Sequence, residues 1–258
     1  MDEQRRRQYL EAMGIQTWRR RGLGAEASAL EVEAATPVAE AASQSEIVES
    51  SAPTVLPSLA PLQPPAADDS GGLGWAQLQQ QVAACRACGL HQTRTQTVFG
   101  VGDTDADLLI IGEAPGADED RQGEPFVGRA GQLLNAMLLA IGLRREQVYI
   151  ANILKCRPPG NRDPQAEEAL RCRPYLQRQL ELLAPKAILA VGRISAQNLL
   201  QSNQTIGRLR GRVHRFGSDG IPLVATYHPA YLLRSPEQKA RSWQDLQLLL
   251  GCLRGDPR

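Results

Sequence analysis

Residues Asp107–Asn135 read DLLIIGEAPGADEDRQGEPFVGRAGQLLN, and the order of residue types within them decides the fold. Leu108–Ile111 is an unbroken apolar run, the pattern of a strand covered on both faces, as in parallel sheets. Leu133, Leu134, Met137, Leu138 and Ile141 then recur at helical spacing. A strand followed by a helix makes the intervening loop a carboxyl-end loop, where open α/β sheets build their sites. That loop carries Glu113, Asp118, Glu119 and Asp120, and it also presents Phe126 in a Pro-Phe-Val-Gly turn. It contains no lysine, which excludes a phosphate cradle of the P-loop kind.

Outward from this unit the pattern repeats. Apolar runs at Asp107–Gly112, Val148–Ile153, Ala187–Gly192 and Leu223–His228 are separated by helical patterns at Ala130–Ile141, Pro164–Leu183 and Arg193–Gln201. Further helices are expected at Trp75–Ala84 and Ser242–Arg254. Alternating strands and helices predict an α/β protein, a three-layer α/β/α sandwich with a central four-stranded, mainly parallel sheet. Between the third and fourth runs, Gly207–Gly217 (GRLRGRVHRFG) alternates arginine with smaller residues. It reads as a short hairpin directing Arg208, Arg210 and Arg212 outward, towards phosphates.

The net charge of +1 over 258 residues averages three unlike regions. Residues 1–24 hold six arginines against three acids, and residues 25–74 hold eight acids and no base. From residue 75 onward the excess is six positive charges, which suits a polyanionic partner. Residues 25–74, rich in Ala, Glu, Ser and Pro and lacking aromatics, are expected to form a disordered linker. Before it, Tyr9, Leu10, Met13 and Trp18 share one side of a possible helix, so residues 1–24 read either as a basic terminus or as a docking segment for a repair or replication protein. Residues 75–258 form the expected catalytic domain. No run of about eighteen apolar residues is present and the start lacks an apolar signal core, so no membrane partner is expected and a cytoplasmic location is.

Cysteine usage fits that compartment. Cys85-x2-Cys88 ends one helix, and Cys156-x15-Cys172 spans a proline-rich loop into the next. In a reducing cytosol such pairs suggest metal rather than disulfides. Spacing alone leaves zinc and an iron–sulfur cubane equally open, since both accept four thiolates. Cys252 has no partner in this pattern and reads as core.

Three segments together, Phe126 in GEPFVG, Asn152 in NILKCRPPGNR and His228 in YHPAYLLR, resemble a uracil-DNA glycosylase of the family-4 type, the iron–sulfur branch of its superfamily. The resemblance runs from Trp75 to about Arg254 and implies removal of uracil from single- or double-stranded DNA in base excision repair, by a monomer. It implies a [4Fe–4S] cluster on Cys85, Cys88, Cys156 and Cys172, with a structural role. A base must leave the stack to be excised, so a pocket is needed. Phe126 offers a stacking face, beside Gly112 and Ala114 of the same loop. Asn152 can accept from uracil N3–H and donate to O4, a pattern cytosine reverses. His228 can donate to O2 as negative charge develops there. Glu113, with Glu119 as a second matching carboxylate, can steady the oxocarbenium-like sugar or its water. Asn161 matches a position at the pocket mouth, and Leu232 matches the wedge that fills the vacated stack, with Arg234 alongside on DNA.

Two other readings compete. A relative that traps abasic DNA through a histidine would carry an additional basic loop after Phe126, whereas here the chain runs directly into VGRAGQLL. A non-catalytic iron–sulfur DNA-binding or polymerase-associated module would explain the cysteines and the arginines, and leave Phe126, Asn152 and His228 unexplained as a set.

Overall fold

A computed structural model describes residues 72–255 together with Glu11. The expected docking segment (1–24, Glu11 apart) and the linker up to residue 71 lie outside the described residues. The strands are β1 (Val101–Gly102), β2 (Leu108–Gly112), β3 (Tyr149–Asn152), β4 (Ala187–Val191), β5 (Val213–Phe216) and β6 (Ile221–Thr226). They form one sheet in the order β1-β3-β2-β4-β6-β5. The four expected strands are its parallel centre, and two antiparallel edge strands, β1 on β3 and β5 on β6, extend it from four to six. The hairpin expected at Gly207–Gly217 becomes a short helix, Ile206–Leu209, followed by β5.

β2, β3 and β4 are buried throughout and β6 from Leu223 on, so their residues alternate between two cores rather than between core and water. Leu108, Ile110, Ile150, Leu189 and Val224 face one side. Leu109, Ile111, Ala151, Ile188, Ala190 and Leu223 face the other. In chain order the α-helices of the described residues from 72 on are α1 (Trp75–Ala84), α2 (Ala117–Gln122), α3 (Arg129–Ala140), α4 (Ala166–Leu183), α5 (Arg193–Leu200), α6 (Ile206–Leu209), α7 (Pro229–Arg234) and α8 (Lys239–Leu253). Leu133, Leu134, Met137 and Leu138 of α3 cover the first face with Leu246 and Leu249 of α8. Leu176 and Leu183 of α4 cover the second with Ala196 of α5. The three-layer sandwich follows.

Parallel register brings the strand ends level. Gly112 pairs with Asn152, and Val191 with Thr226, so the residues that leave β2, β3, β4 and β6 emerge along one edge of the sheet.

Candidate active site

Gly112 is where β2 ends, and the space beside it is already taken. A Cβ there would lie 2.3 Å from Asn152 Oδ1 and 2.7 Å from the Phe126 ring. The amide of Asn152 and the face of Phe126 therefore meet over a residue without a side chain. Asn152 is buried, and its Oδ1 is one of three buried side-chain atoms without a hydrogen-bond partner among the described residues. Buried polar atoms are nearly always satisfied, so an unpartnered acceptor at a strand end marks a candidate ligand position.

Phe126 reaches Gly112 through a left-handed backbone (φ 56°), an unusual conformation for a bulky residue. Three groups hold it there. Glu119 Oε1 accepts from the Val127 and Gly128 N–H groups at 3.0 and 3.4 Å, while its Oε2 accepts from Gly116 N–H at 3.1 Å. Arg145 donates to the Pro125 carbonyl at 2.6 Å and the Phe126 carbonyl at 3.3 Å. Gly131 opens α3 so close to Phe126 that a Cβ would sit 1.8 Å from its carbonyl oxygen. Both oxygens of Glu119 are thus engaged in bracing the loop. Asp120 is buried and accepts from Thr95 N–H, and Asp118 pairs with Arg121, so these two acids also support the loop.

His228 follows β6 and stacks with Phe126, their ring centroids 5.6 Å apart. It is the N-cap of α7, and its Nδ1 accepts from Ala230 N–H at 3.1 Å. That bond leaves the proton of a neutral imidazole on Nε2. Burial, with Arg234 nearby and against the pull of Glu119, lowers the His228 pKa to about 4, so the ring is neutral near pH 7. Gly192 (φ 96°) passes at the distance where a Cβ would touch the His228 side chain at 3.2–3.6 Å. Glu113 shifts the other way. Burial, with the negative charge of Asp163 and in spite of Arg193, lifts its carboxyl to about 7. Arg193 and Asp163 are themselves paired at 2.6 Å.

The other expected residues divide. Ala114 packs at the edge of the second core, on the loop that leaves Gly112. Asn161 is exposed, and its Oδ1 accepts from Arg157 at 2.7 Å. Arg208, Arg212 and Arg234 are exposed, as a phosphate contact requires. Arg210 is not. Its guanidinium turns inward to bind Asp245, at 2.8 and 3.0 Å, a fully buried carboxylate that also accepts from Gly211 N–H and Thr226. Leu232 is also turned inward. It is 0% exposed in the first core, and the apolar residues that α7 presents outside are Tyr231 (36%) and Leu233 (37%). Helical phase is the cause, since 232 lies between its exposed neighbours and on the sheet-facing side of α7.

Away from the pocket, Cys85, Cys88, Cys156 and Cys172 line one small cavity, with Arg94, His91 and Lys155. Arg94 donates to Cys156 Sγ at 3.0 Å, Lys155 N–H to Cys172 Sγ at 3.3 Å and Ala87 N–H to Cys85 Sγ at 3.5 Å. Burial pushes the Cys172 thiol up to about 12 and raises Cys88 and Cys156 as well. Among the described residues, no three or more His, Cys, Asp or Glu are placed to hold a single metal ion. Cys252 is buried in the first core, away from this set.

Lys155, Arg145 and the Arg193–Asp163 pair escaped the reading of the sequence. For Lys155 a signal existed, because it stands between the buried Ile153-Leu154 and Cys156, where a solvated lysine has no place.

A ring, an unpartnered amide oxygen and a neutral histidine gathered at the strand ends are the groups that an α/β enzyme handling an extruded nucleobase needs. The chain belongs to the uracil DNA glycosylase superfamily, whose family model matches residues 99–247. It is 48% identical over 175 residues to a type-4 uracil-DNA glycosylase of Archaeoglobus fulgidus, covering 65% of this chain and 87% of that one. A type-4 uracil-DNA glycosylase of Pyrobaculum aerophilum is 41% identical over 181 residues, 68% of this chain and 92% of its own. Another from Sulfurisphaera tokodaii is 42% identical over 167 residues, 62% and 76% of the two chains.

Proposed function

We propose that the chain excises uracil from DNA, releasing the free base and leaving an abasic site for base excision repair. The observation that carries this reading is the buried, unpartnered Oδ1 of Asn152 against the Phe126 ring. Uracil supplies an N3–H to that atom, whereas cytosine would set an acceptor against an acceptor. The names of the type-4 relatives support the same substrate.

The chemistry follows from the flanking groups. As the C1′–N1 bond breaks, its electron pair moves into the uracil ring and charge collects on O2. The Nε2–H of neutral His228 donates to that oxygen. A neutral donor suits the task, because it stabilises the anion without delivering the proton beforehand. Glu113, once ionised, faces the sugar cation and holds the water that adds to C1′. The water's oxygen bonds to carbon, and its proton passes to the carboxylate or to the departing anion. Glu119 and Arg145 act as positioning residues for Phe126. Arg208, Arg212 and Arg234 contact phosphates, Asn161 stands at the mouth, and Tyr231 and Leu233 form the apolar edge that enters the duplex.

Cys85, Cys88, Cys156 and Cys172 fit a [4Fe–4S] cluster. Four thiols share one cavity, and N–H donors point at three of the sulfurs. Such a cluster supplies a cross-link between the end of α1 and the start of α4. On the same reading the protein works as a monomer in the cytoplasm, and residues 1–24 dock to a repair or replication protein.

An oligonucleotide containing one uracil tests the reaction. Release of free uracil with an alkali-labile site is expected. A covalent protein–DNA adduct would instead support the trapping relative, and binding without either product would reduce the chain to a DNA-binding module.

A further inference from the structure

Lys155 is the only buried lysine or arginine among the described residues, 1% exposed, and the reaction above makes no use of it. Its ammonium donates to the carbonyl oxygen of Asn152 at 3.0 Å and to Gln179 Oε1 at 2.6 Å. Gln179, fully buried on α4, donates in turn to the Phe99 carbonyl at 2.9 Å and to Tyr149 Oη at 3.3 Å. Tyr149 opens β3 and Asn152 closes it, so the network clasps both ends of the strand that bears the reading amide. An apolar side chain would fill the same space at no desolvation cost, so what lysine adds is its charged donors.

We propose that Lys155 is the positioning residue for Asn152: by gripping the carbonyl of the last β3 residue it sets the peptide plane from which the uracil-reading amide projects. The proposal rests on the glycosylase reading and deepens it. Asn152 Oδ1 has no partner of its own, so without a bound base only the backbone and the Gly112–Phe126 wall define its aim. A shift of about 1 Å in such a group is enough to cost on the order of a hundredfold in rate.

The test is a double-mutant cycle on the full chain, read by single-turnover uracil release from a single-stranded oligonucleotide. Lys155→Met keeps the bulk and removes the donors, and is expected to slow release by about 10- to 100-fold. Affinity for DNA containing an abasic-site analogue should stay within about twofold, since phosphate contacts dominate it. Lys155→Gln, which retains an N–H donor, should recover part of the rate. In an Asn152→Ala background, Lys155→Met should add a loss of no more than about twofold, because the residue it positions is gone. Full additivity of the two losses, or a wild-type rate in Lys155→Met, overturns the proposal. A general structural role would lower abasic-DNA affinity and uracil release together. Should Lys155→Met fail to fold, Lys155→Leu, which also lacks a donor, takes its place in the same cycle and is read by the same criterion. Crystals of the lysine variant give an answer independent of turnover: the Asn152 amide leaves its place beside Gly112, or the idea fails. Absence of uracil release by the unaltered protein is a different failure, that of the glycosylase reading itself.

Discussion

Burial drives Glu113 and His228 in opposite directions on the pH scale, and both shifts favour the neutral form. His228, at about 4, holds its charge constant from pH 5 upward, whereas Glu113, at about 7, titrates in the middle of the working range. The single-turnover rate should therefore rise about tenfold per pH unit below 7 and level off above it, with one limb only. Glu113→Gln should abolish the limb and leave a flat rate roughly two to four decades lower, the scale of one lost electrostatic group. Stability should respond with the opposite sign. The folded pKa of Glu113 lies above its unfolded value, so its burial costs nothing below about pH 4.5 and progressively more up to about 7. Thermal melting of Glu113→Gln should match the parent at pH 4 and exceed it at pH 8. A pH profile unchanged by that substitution would assign the limb to another group.

Among the elements, α7 and the β4–β6 connection carry the sharpest contrasts. Leu232→Ala should cost about 2–5 kcal/mol of stability, as a cavity opens in the first core. Tyr231→Ala and Leu233→Ala should leave the melting temperature nearly unchanged. Their defect should be larger on paired uracil than on single-stranded uracil, where little stacking must be broken. Equal losses on the two substrates would remove this edge from the duplex. Arg210→Ala strands the buried Asp245 anion and should destabilise by about 3–5 kcal/mol. Arg208→Ala and Arg212→Ala should instead keep the fold and lower the salt dependence of DNA binding by about one unit each. These contrasts mark where the sequence was readable. The four central strands stood out because both faces are buried, which leaves continuous apolar runs. The edges did not, since β1 spans two residues and β5 carries His214 and Arg215 among its four. That Gly112, Asn152 and His228 would come together was legible because strand ends in one register must meet, and Phe126 is carried to them by the loop that leaves Gly112. Arg210 was misjudged because its partner lies 35 residues onward, and Leu232 because Leu232-Leu233 has no phase until α7 exists. Lys155 stood out by its apolar neighbours, but its partner did not, since Gln179 lies on another element 24 residues onward.

At the scale of the whole molecule, the cysteine cavity is lined from the end of α1 and from α4 alike. The purified protein should be brown and carry about four irons per chain. Cys156→Ser should lower both iron content and solubility, and a colourless, fully active protein holding one zinc would overturn the cluster. The level strand ends described above also have a kinetic meaning. Gly112, Asn152, Gly192 and His228 are neighbours in space yet spread over more than a hundred residues of chain, and three parallel pairings must all form before they meet. Loop closures of that length are slow, while the β5–β6 hairpin and the helices are local and quick. After dilution from denaturant, helical circular dichroism should return first and uracil release last. The catalytic pocket is thus its own folding sensor, incapable of acting on DNA until the final crossover of the sheet has closed.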